Sequence, residues 1–309
     1  MSQPFERVGR LVGHDGPVQA VCFTDDTKYC LTAGHDRTVR LWNPLRLDAK
    51  SEALPMHIYA DGHMHAVSAV ASHDVTMVSS SNKSLVVTDM VTAKVKHRIS
   101  QSHTGPINNV DVRQEAIFLS ASYDGTCKLW DARNLNRQTP IQICDEAKDS
   151  VTCVQLDGPH AIYTASVDGH MRLYDIRQGR VTDCNVGAPI VSMAMADDCV
   201  VVSCLDGTMR LVDKELGELL NTYHGAHTTS QYAVACGITF RHVLTGSETG
   251  PASVLYDLVT AKVVQKLQDV ESKGPTCAVA AQEKCLVTAS FHSDAPLVWT
   301  NDASQVSRD

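Results

Sequence analysis

The chain repeats one local pattern of apolar and polar positions, a pair of short apolar strands joined by a tight turn. One copy reads Leu-Thr-Ala-Gly-His-Asp-Arg-Thr-Val-Arg-Leu-Trp and ends at Trp42, and another reads Leu-Ser-Ala-Ser-Tyr-Asp-Gly-Thr-Cys-Lys-Leu-Trp and ends at Trp130. Apolar and polar residues alternate after each turn, as in a strand with one buried face. Asp-Gly or a similar step suits a hairpin turn. The pattern therefore predicts an all-β chain built from antiparallel hairpins.

The residue pairs that end these units recur at a regular interval. The pairs are Trp42-Asn43, Thr88-Asp89, Trp130-Asp131, Tyr174-Asp175, Val212-Asp213, Tyr256-Asp257 and Trp299-Thr300. Successive pairs lie 38 to 46 residues apart, which is the length of a four-stranded propeller blade. The sequence therefore predicts a seven-bladed β-propeller that forms a single domain over residues 1–309, with its repeats in 13–299.

These repeats resemble the WD40 family over essentially the whole chain. In that family a His, a Ser or Thr, an Asp and a Trp form a buried hydrogen-bonded network within one blade. The resemblance implies two complete networks: His14, Thr32, Asp36 and Trp42 in blade 1, and His103, Ser120, Asp124 and Trp130 in blade 3. A buried carboxylate needs such hydrogen bonds to offset its lost hydration.

A Ser, a His and an Asp together are also typical of a catalytic triad. Here the set recurs at blade spacing, and no serine lies in a Gly-x-Ser-x-Gly turn. We therefore favour the structural interpretation of these residues over the catalytic one.

The two ends of the chain differ in pattern. Residues 5–12 carry four apolar side chains, Phe5, Val8, Leu11 and Val12, whereas residues 300–309 form a polar tail. We expect residues 1–12 to provide the outer strand of blade 7 and to close the ring, because an unpaired sheet edge invites association. The tail is not expected to supply that strand.

Composition and charge narrow the classes of function. The formal net charge is −8, whereas proteins that bind nucleic acid through its phosphates are usually basic, so direct nucleic-acid binding is disfavoured. The basic run Lys94–Arg98 alternates like a solvated outer strand, which we favour over an RNA contact.

Most of the 11 cysteines lie in apolar runs, and none forms a Cys-x-x-Cys pair, which indicates reduced buried thiols. Without a signal peptide or a membrane-spanning run, the chain is expected in the cytoplasm or the nucleus.

Neutral residues are predicted at the entrance of the central channel. Alternation along the inner strands places these residues there: Gln19, Ser68, Asn108, Thr152, Val191 and Cys277. Such a set suits hydrogen-bonded recognition better than acid–base or metal chemistry. We therefore expect a non-catalytic protein without metal or cofactor, which is monomeric by itself and binds other proteins.

Partner proteins are expected on the upper rim of the ring. There the loops that enter each blade meet the turns that precede the Asp positions. The candidate contact residues are Gln19, His35, Ser81, Asn108, Tyr123, Thr152, Val167 and Leu205. Tyr123 is expected to contribute most, because it is aromatic with a polar tip.

Several segments give a more specific resemblance. Five segments resemble the mitogen-activated protein kinase organiser family of WD-repeat proteins: Leu41–Arg46, Asp145–Asp149, Ser166–Gly169, Tyr174–Arg177 and Leu205–Leu219. That resemblance implies a scaffold for components of a kinase cascade. The same family is linked to the spliceosome, which implies that part of the protein is nuclear.

A second function remains open. Trp130-Asp-Ala-Arg133 and Tyr174-Asp-Ile-Arg177 lie at matching positions of successive blades. They resemble the W-D-x-R signature of substrate receptors of cullin-4 ubiquitin ligases, in which the arginine docks on the adaptor. The alternative is that Arg133 and Arg177 pair with a local carboxylate or lie in solvent.

Overall fold

The strands form seven sheets that follow one another around a ring. The computed structural model describes residues 4–114, 116–249, 252–268 and 274–308. The four strands that build each blade pair antiparallel, and the innermost strand of each blade contacts the innermost strands of the blades before and after it. The innermost strand of the last sheet contacts that of the first, so the ring is closed. The prediction of an all-β, seven-bladed propeller is confirmed.

Each blade has four strands, ordered from the central channel outwards. The first strands are β2 (Val18–Phe23), β8 (Ala69–His73), β12 (Ile107–Gln114), β16 (Val151–Asp157), β20 (Ile190–Met195), β24 (Cys236–Ile238) and β28 (Thr276–Ala281). The second strands are β3 (Cys30–Gly34), β9 (Thr76–Ser81), β13 (Ile117–Ser122), β17 (Ala161–Ser166), β21 (Cys199–Cys204), β25 (His242–Thr245) and β29 (Cys285–Ser290).

The two outer positions follow the same order. The third strands are β4 (Val39–Trp42), β10 (Ser84–Asp89), β14 (Cys127–Asp131), β18 (His170–Asp175), β22 (Met209–Asp213), β26 (Ala252–Asp257) and β30 (Leu297–Thr300). The fourth strands are β7 (His57–Tyr59), β11 (Lys94–Ile99), β15 (Gln142–Cys144), β19 (Arg180–Asn185), β23 (Leu219–Tyr223), β27 (Val263–Gln268) and β1 (Glu6–Leu11). Single 3-10 turns lie at Ala132–Arg137 and Ala303–Gln305, and among the described residues no helix is long and apolar enough to cross a membrane.

The amino-terminal strand is the fourth strand of blade 7. It pairs antiparallel with β30, and the Leu11 amide donates to the Pro296 carbonyl at 2.8 Å. Phe5 and Leu11 are buried in the core. Gln265 of blade 6 holds the segment from the other side, because its amide group accepts from the Phe5 N–H and donates to the Phe5 carbonyl at 2.9 and 2.6 Å. Residues 1–3 of the expected closing segment lie outside the described residues.

Two short parallel strands extend this closure. A fifth strand of blade 7, β6 (Glu52–Ala53), pairs with β1, and the carboxy-terminal β31 (Ser307–Arg308) pairs with β5 (Arg46–Leu47). The Ser307 amide donates to the Leu45 carbonyl at 2.9 Å. The tail was expected only as a polar extension. Instead, its residues Ser307 and Arg308 pair through their backbone with the segment that follows the third strand of blade 1. Two residues are sufficient for this pairing.

The hydrophobic core lies between neighbouring blades. One cluster joins Val78 and Val87 of blade 2 to Ile107, Phe118 and Trp130 of blade 3. The rings of Phe118 and Trp130 are stacked, with centroids 6.2 Å apart. Because each sheet buries its faces against its two neighbours, the core is complete only in a closed ring.

Cysteines take part in this packing as small apolar side chains. All 11 are free thiols, and eight of them are buried. Burial raises the pKa of Cys153 to about 11 and that of Cys236 to about 12. The neutral thiol therefore prevails at physiological pH, and these groups are poor nucleophiles.

Removal of residues 1–12 should lower the melting temperature by about 10 °C or more. The deletion removes the buried side chains of Phe5 and Leu11, each of which contributes about 2 kcal/mol to the free energy of unfolding. Blade 7 would also lose its outer strand. Differential scanning calorimetry measures the effect. Removal of residues 303–309, which deletes only the pairing of β31, is the control and should cost a few degrees. An unchanged melting curve after the first deletion would contradict closure by this strand.

Candidate functional site

A hydrogen-bonded network ties the upper end of blade 1 together. His14 Nδ1 lies 2.8 Å from Asp36 Oδ2, and its Nε2 lies 2.6 Å from the Thr32 hydroxyl. The Trp42 indole N–H donates to the same hydroxyl at 2.7 Å. His14, Thr32 and Trp42 are buried. The network therefore joins the segment that enters the blade to the turn between its second and third strands.

Blade 3 repeats this geometry with serine in place of threonine. His103 lies 3.0 Å from Asp124 and 2.7 Å from the Ser120 hydroxyl, which accepts from the Trp130 N–H at 2.9 Å. Burial by itself would raise the pKa of Asp124, but hydrogen bonds from Thr126 and the charge of His103 hold it well below its usual value. The serine hydroxyl is enclosed between imidazole and indole, so it faces no space for a substrate.

In blades 4 and 5, which lack the network histidine, an arginine binds the aspartate of the turn. Arg172 Nη2 donates to Asp168 at 2.7 Å, and its Nη1 donates to the Ser166 hydroxyl at 2.8 Å. Arg210 pairs in the same way with Asp206. Both arginines lie four residues after their aspartate, on the third strand. Guanidinium is well suited to this position because it binds a carboxylate through two N–H groups.

Sequence reasoning missed this role of arginine, although the signal was present. The spacing Asp-x-x-x-Arg also occurs in blade 1, where Arg40 Nη2 donates to Asp36 at 3.1 Å. Blade 3 has Lys128 at the same position, and its ammonium group donates to the Ser102 carbonyl at 2.6 Å. A basic residue at this position therefore ties the third strand to the upper end of its blade.

The other three blades keep parts of the network. His63 in blade 2 lies 2.7 Å from the Ser79 hydroxyl, and His227 in blade 6 lies 2.7 Å from the Tyr256 hydroxyl. In blade 7 the Trp299 N–H donates to a threonine hydroxyl of β29 at 3.0 Å. Each of these blades thus retains one buried hydrogen bond between residues at network positions.

The central channel is a cavity of about 800 Å³. All six positions expected at its entrance line it. Three of them bind the neighbouring blade, because each donates to the carbonyl of the first residue in the next inner strand: Ser68 at 3.0 Å, Asn108 at 2.8 Å and Thr152 at 3.0 Å. The donor groups of Asn108 and Thr152, two of the expected partner contacts, therefore hold neighbouring blades together, and their role in partner binding stays a prediction.

The far end of the channel carries charge. Asp25, Asp111 and Arg113 lie there. Asp111 accepts the backbone N–H of Leu156 in the next blade at 2.7 Å, and burial raises the pKa of this carboxyl group. No group of three or more His, Cys, Asp or Glu side chains within the described ranges is placed to hold a metal ion. The role visible for Asp111 is to join two blades.

Five residues occupy equivalent positions on the upper rim, directly after the second strand of their blades. These residues are His35, Tyr123, Val167, Leu205 and Phe291. The backbone N–H of each donates, at 2.9 Å, to a carbonyl of the segment that enters the same blade. Tyr123 is 67% exposed, which makes it available to a partner. Gln19 lies beside His35, with its amide nitrogen 2.7 Å from His35 Nε2.

Ser81 does not belong to this set, which corrects the expectation from the sequence. It is buried as the last residue of β9, and its hydroxyl donates to the His65 carbonyl at 3.0 Å. Blade 2 has a turn of only two residues, because Ser81 pairs directly with Ser84. The short turn shifts the exposed position to Asn82, whose φ is 52°.

An aromatic cluster on the upper rim, His35, Tyr232 and Phe291, joins blades 6, 7 and 1. The Phe291 ring centroid lies 6.5 Å from that of His35 and 6.2 Å from that of Tyr232. Phe291 and Tyr232 also line the channel mouth. Sequence reasoning missed both residues: Phe291 because the turn of blade 7 is longer than the repeat, and Tyr232 because it comes from an irregular loop.

Glu248 fixes the loop that presents Tyr232. Its carboxylate accepts three successive amide N–H groups, from Ser230, Gln231 and Tyr232, at 2.6 to 2.7 Å. Burial by itself would raise the pKa of Glu248, but these amides hold it below its usual value. The aromatic cluster is therefore held in a defined geometry before any partner arrives.

Arg133 and Arg177 are exposed next to the third strands of their blades, with 73% and 63% of their side chains accessible. Arg133 forms a two-point contact with Asp131 at 2.9 and 3.0 Å, whereas Arg177 Nε lies 3.9 Å from Asp175. The basic run Lys94–Arg98 forms β11, an outer strand whose charged side chains face solvent.

A closed ring of seven four-stranded blades, with these networks at the upper ends, defines a WD-repeat propeller. A model of the WD domain, G-beta repeat, matches residues 5–43, 94–131 and 138–175. WD repeat domain-containing protein 83 of Rattus norvegicus is 36% identical over 291 residues, which cover 93% of this chain and 90% of the relative.

Two further relatives span most of the chain. The Xenopus tropicalis protein of the same name is 33% identical over 286 residues, 91% of this chain and 88% of the relative. The Dictyostelium discoideum homolog is 28% identical over 289 residues, 83% of this chain and 86% of the relative. The chain belongs to the WD-repeat family, in the group of WD repeat domain-containing protein 83. These relatives confirm the resemblance to the mitogen-activated protein kinase organiser family.

Two buried histidines, His103 and His227, and the half-buried His63 predict how stability depends on pH. Burial lowers the pKa of His63, His103 and His227 to about 4 each. Unfolded histidine titrates near 6.5, so below about pH 6.5 the unfolded chain binds protons that the folded chain does not. The free energy of unfolding should therefore fall with falling pH between about 6.5 and 4, by up to about 1.4 kcal/mol per unit for each histidine.

Asp36 and Asp124 extend this trend to lower pH. The pKa values of both carboxyl groups are depressed in the folded chain. Their contribution to the free energy of unfolding is therefore complete above about pH 3.9, the pKa of aspartate in the unfolded chain, and is lost as the pH falls through the folded pKa values. Urea unfolding at a series of pH values measures the dependence. A free energy of unfolding that stays constant from pH 7 to pH 5 would contradict these assignments.

Proposed function

We propose that the upper rim binds partner proteins and that the aromatic cluster His35, Tyr232 and Phe291 is the centre of the contact. The observation that carries this proposal is that the cluster adjoins the channel mouth and that Glu248 fixes the loop of its member Tyr232. Aromatic side chains in a fixed geometry are typical of interface hot spots, because little conformational entropy is lost on binding. Tyr123 extends the same surface on blade 3.

A non-catalytic role accords with the chemistry around the channel. WD-repeat propellers are typically interaction modules without catalysis. The hydroxyl and amide groups of Ser68, Asn108 and Thr152 are already bonded to neighbouring blades. Recognition by surface contact on the rim therefore fits this chain better than chemistry in its channel.

The resemblance to the organiser family supplies the candidate partners. We propose that the chain holds components of a kinase cascade, proteins of the spliceosome, or both. The first role places the protein in the cytoplasm and the second places part of it in the nucleus. Because the net charge is −8, contact with the spliceosome is proposed to go through its proteins.

Replacement of both rim aromatics, Tyr232→Ala with Phe291→Ala, should weaken partner capture about thirtyfold, since two hot-spot side chains together contribute about 2 kcal/mol or more. Quantitative affinity purification from cells measures capture, and thermal unfolding checks the fold. Phe240→Ala is the matched control, because Phe240 is an exposed aromatic residue on the opposite rim. Equal capture by the double variant and the control would exclude the cluster as the docking centre.

A role as a cullin-4 substrate receptor is the second candidate. The observation that favours it is the exposure of both guanidinium groups at matching positions in blades 3 and 4. If this function is correct, the ligase adaptor should co-purify with the wild-type chain, and Arg133→Ala with Arg177→Ala should abolish that capture. Recovery of kinases or splicing proteins without the adaptor would instead support the scaffold.

A further inference from the structure

Two neighbouring blades expose aliphatic side chains on the lower rim, opposite the aromatic cluster. These side chains come from the turns between the third and fourth strands and from the first residues of the fourth strands. We call them the lower apolar patch: Leu216, Leu219 and Leu220 of blade 5, and Val259, Val263 and Val264 of blade 6. Leu216 is 71% exposed and Val259 is 80% exposed. Such a contiguous apolar surface marks an interaction site more often than scattered apolar residues do.

The backbone produces the patch in the same way in both blades. A β-bulge leaves Leu220 without a partner in β22 and Val264 without a partner in β26. At each bulge two successive apolar side chains are exposed. Blade 2 has the same bulge, but the extra residue there is Lys96. A charged residue on a bulged outer strand is how proteins protect a sheet edge, and blades 5 and 6 lack that protection.

Hydrogen bonds join the two halves of the patch. The Asn221 side chain of blade 5 donates to the Val259 carbonyl at 2.9 Å, and the Tyr223 hydroxyl donates to the Leu258 carbonyl at 2.7 Å. The turn of blade 6 is thereby fixed against the outer strand of blade 5. The six aliphatic side chains therefore belong to one continuous surface.

Charges of opposite sign flank this surface. Glu215 and Glu218 are exposed on the blade 5 side, and Lys262 and Lys266 are exposed on the blade 6 side. Glu218 and Lys262 occupy equivalent positions, because each carbonyl accepts the N–H of the aspartate five residues earlier, at 2.8 and 2.9 Å. A two-fold rotation about the middle of the patch would place the acidic side of one copy on the basic side of another.

We propose that a second copy of this chain covers the lower apolar patch in a symmetric dimer. The apolar centre is self-complementary under a two-fold axis, and Glu218 of each copy faces Lys262 of the other. A stable homodimer usually buries about 800 Å² per partner. The patch can approach this area only if the charged residues on its flanks are buried together with its six aliphatic side chains. The dimer is therefore weak and depends on concentration. This proposal differs from the expectation of a monomer drawn from the sequence.

Sedimentation equilibrium over a range of concentrations tests the proposal. The wild-type chain should form dimers reversibly, and Glu218→Lys or Lys262→Glu should each raise the dimer dissociation constant about tenfold or more through two like-charge contacts. An equimolar mixture of the two variants should restore association, because both contacts then pair opposite charges. Rescue by mixing cannot result from a general loss of folding.

Blade 2 provides the matched control. Lys94 occupies the equivalent position in its turn, five residues after Asp89, and Lys94→Glu should leave the dissociation constant unchanged. A wild-type chain that is monomeric at all concentrations would overturn the proposal. So would a mixture of Glu218→Lys and Lys262→Glu chains that stays as monomeric as either variant alone. Because the upper rim is not altered, partner capture there should be the same in all these variants.

Discussion

The pairing of β1 with β30 is the interaction on which the rest of the structure depends. Blade 7 is assembled from the two ends of the sequence, and the buried side chains of Phe5 and Leu11 hold that junction. Without it, the last sheet would lack its outer strand and would expose an unpaired edge. Because every blade packs on its two neighbours, disruption of one blade weakens the contacts all around the ring.

The closed ring determines where binding chemistry is available. The sheets converge at the channel, and the side chains of Asn108, Thr152 and Asp111 are used there to join adjacent inner strands. At the upper rim the networks with His, Arg and Asp fix the turns. The side chain of Tyr123, which follows one of those turns, is 67% exposed. The proposed recognition therefore lies on the rim, where exposed side chains are available, and not in the channel.

The fold was predictable from sequence because it rests on repetition. The interval between the residue pairs that end each unit predicts the blades, and the segment Phe5–Val12 before the first repeat predicts the closing strand. The hydrogen-bonded networks of blades 1 and 3 could be predicted from the sequence because all four residue types, His, Ser or Thr, Asp and Trp, occur there at the same spacing. The structure brings both sets together at hydrogen-bond distances.

The rim was less predictable, for physical reasons that differ between residues. Ser81 was misplaced because a two-residue turn shifts the exposed position by one. Asn108 and Thr152 have the composition of a binding surface, and only the position of the next blade shows that their donors are engaged. Tyr232 reaches Phe291 from another blade, and no local pattern contains that contact. Arg172 could have been identified from the repeated spacing to Asp168.

Native-state hydrogen exchange of β1 tests the central claim most directly. The Leu11 amide, bonded to the Pro296 carbonyl, is the reporter. If the ring is one cooperative unit closed by this strand, the amides of β1 and β30 should exchange with the same free energy as those of the inner strands. Exchange of the β1 amides at a much lower free energy, while the inner strands stay protected, would show that the ring holds together without its closing strand.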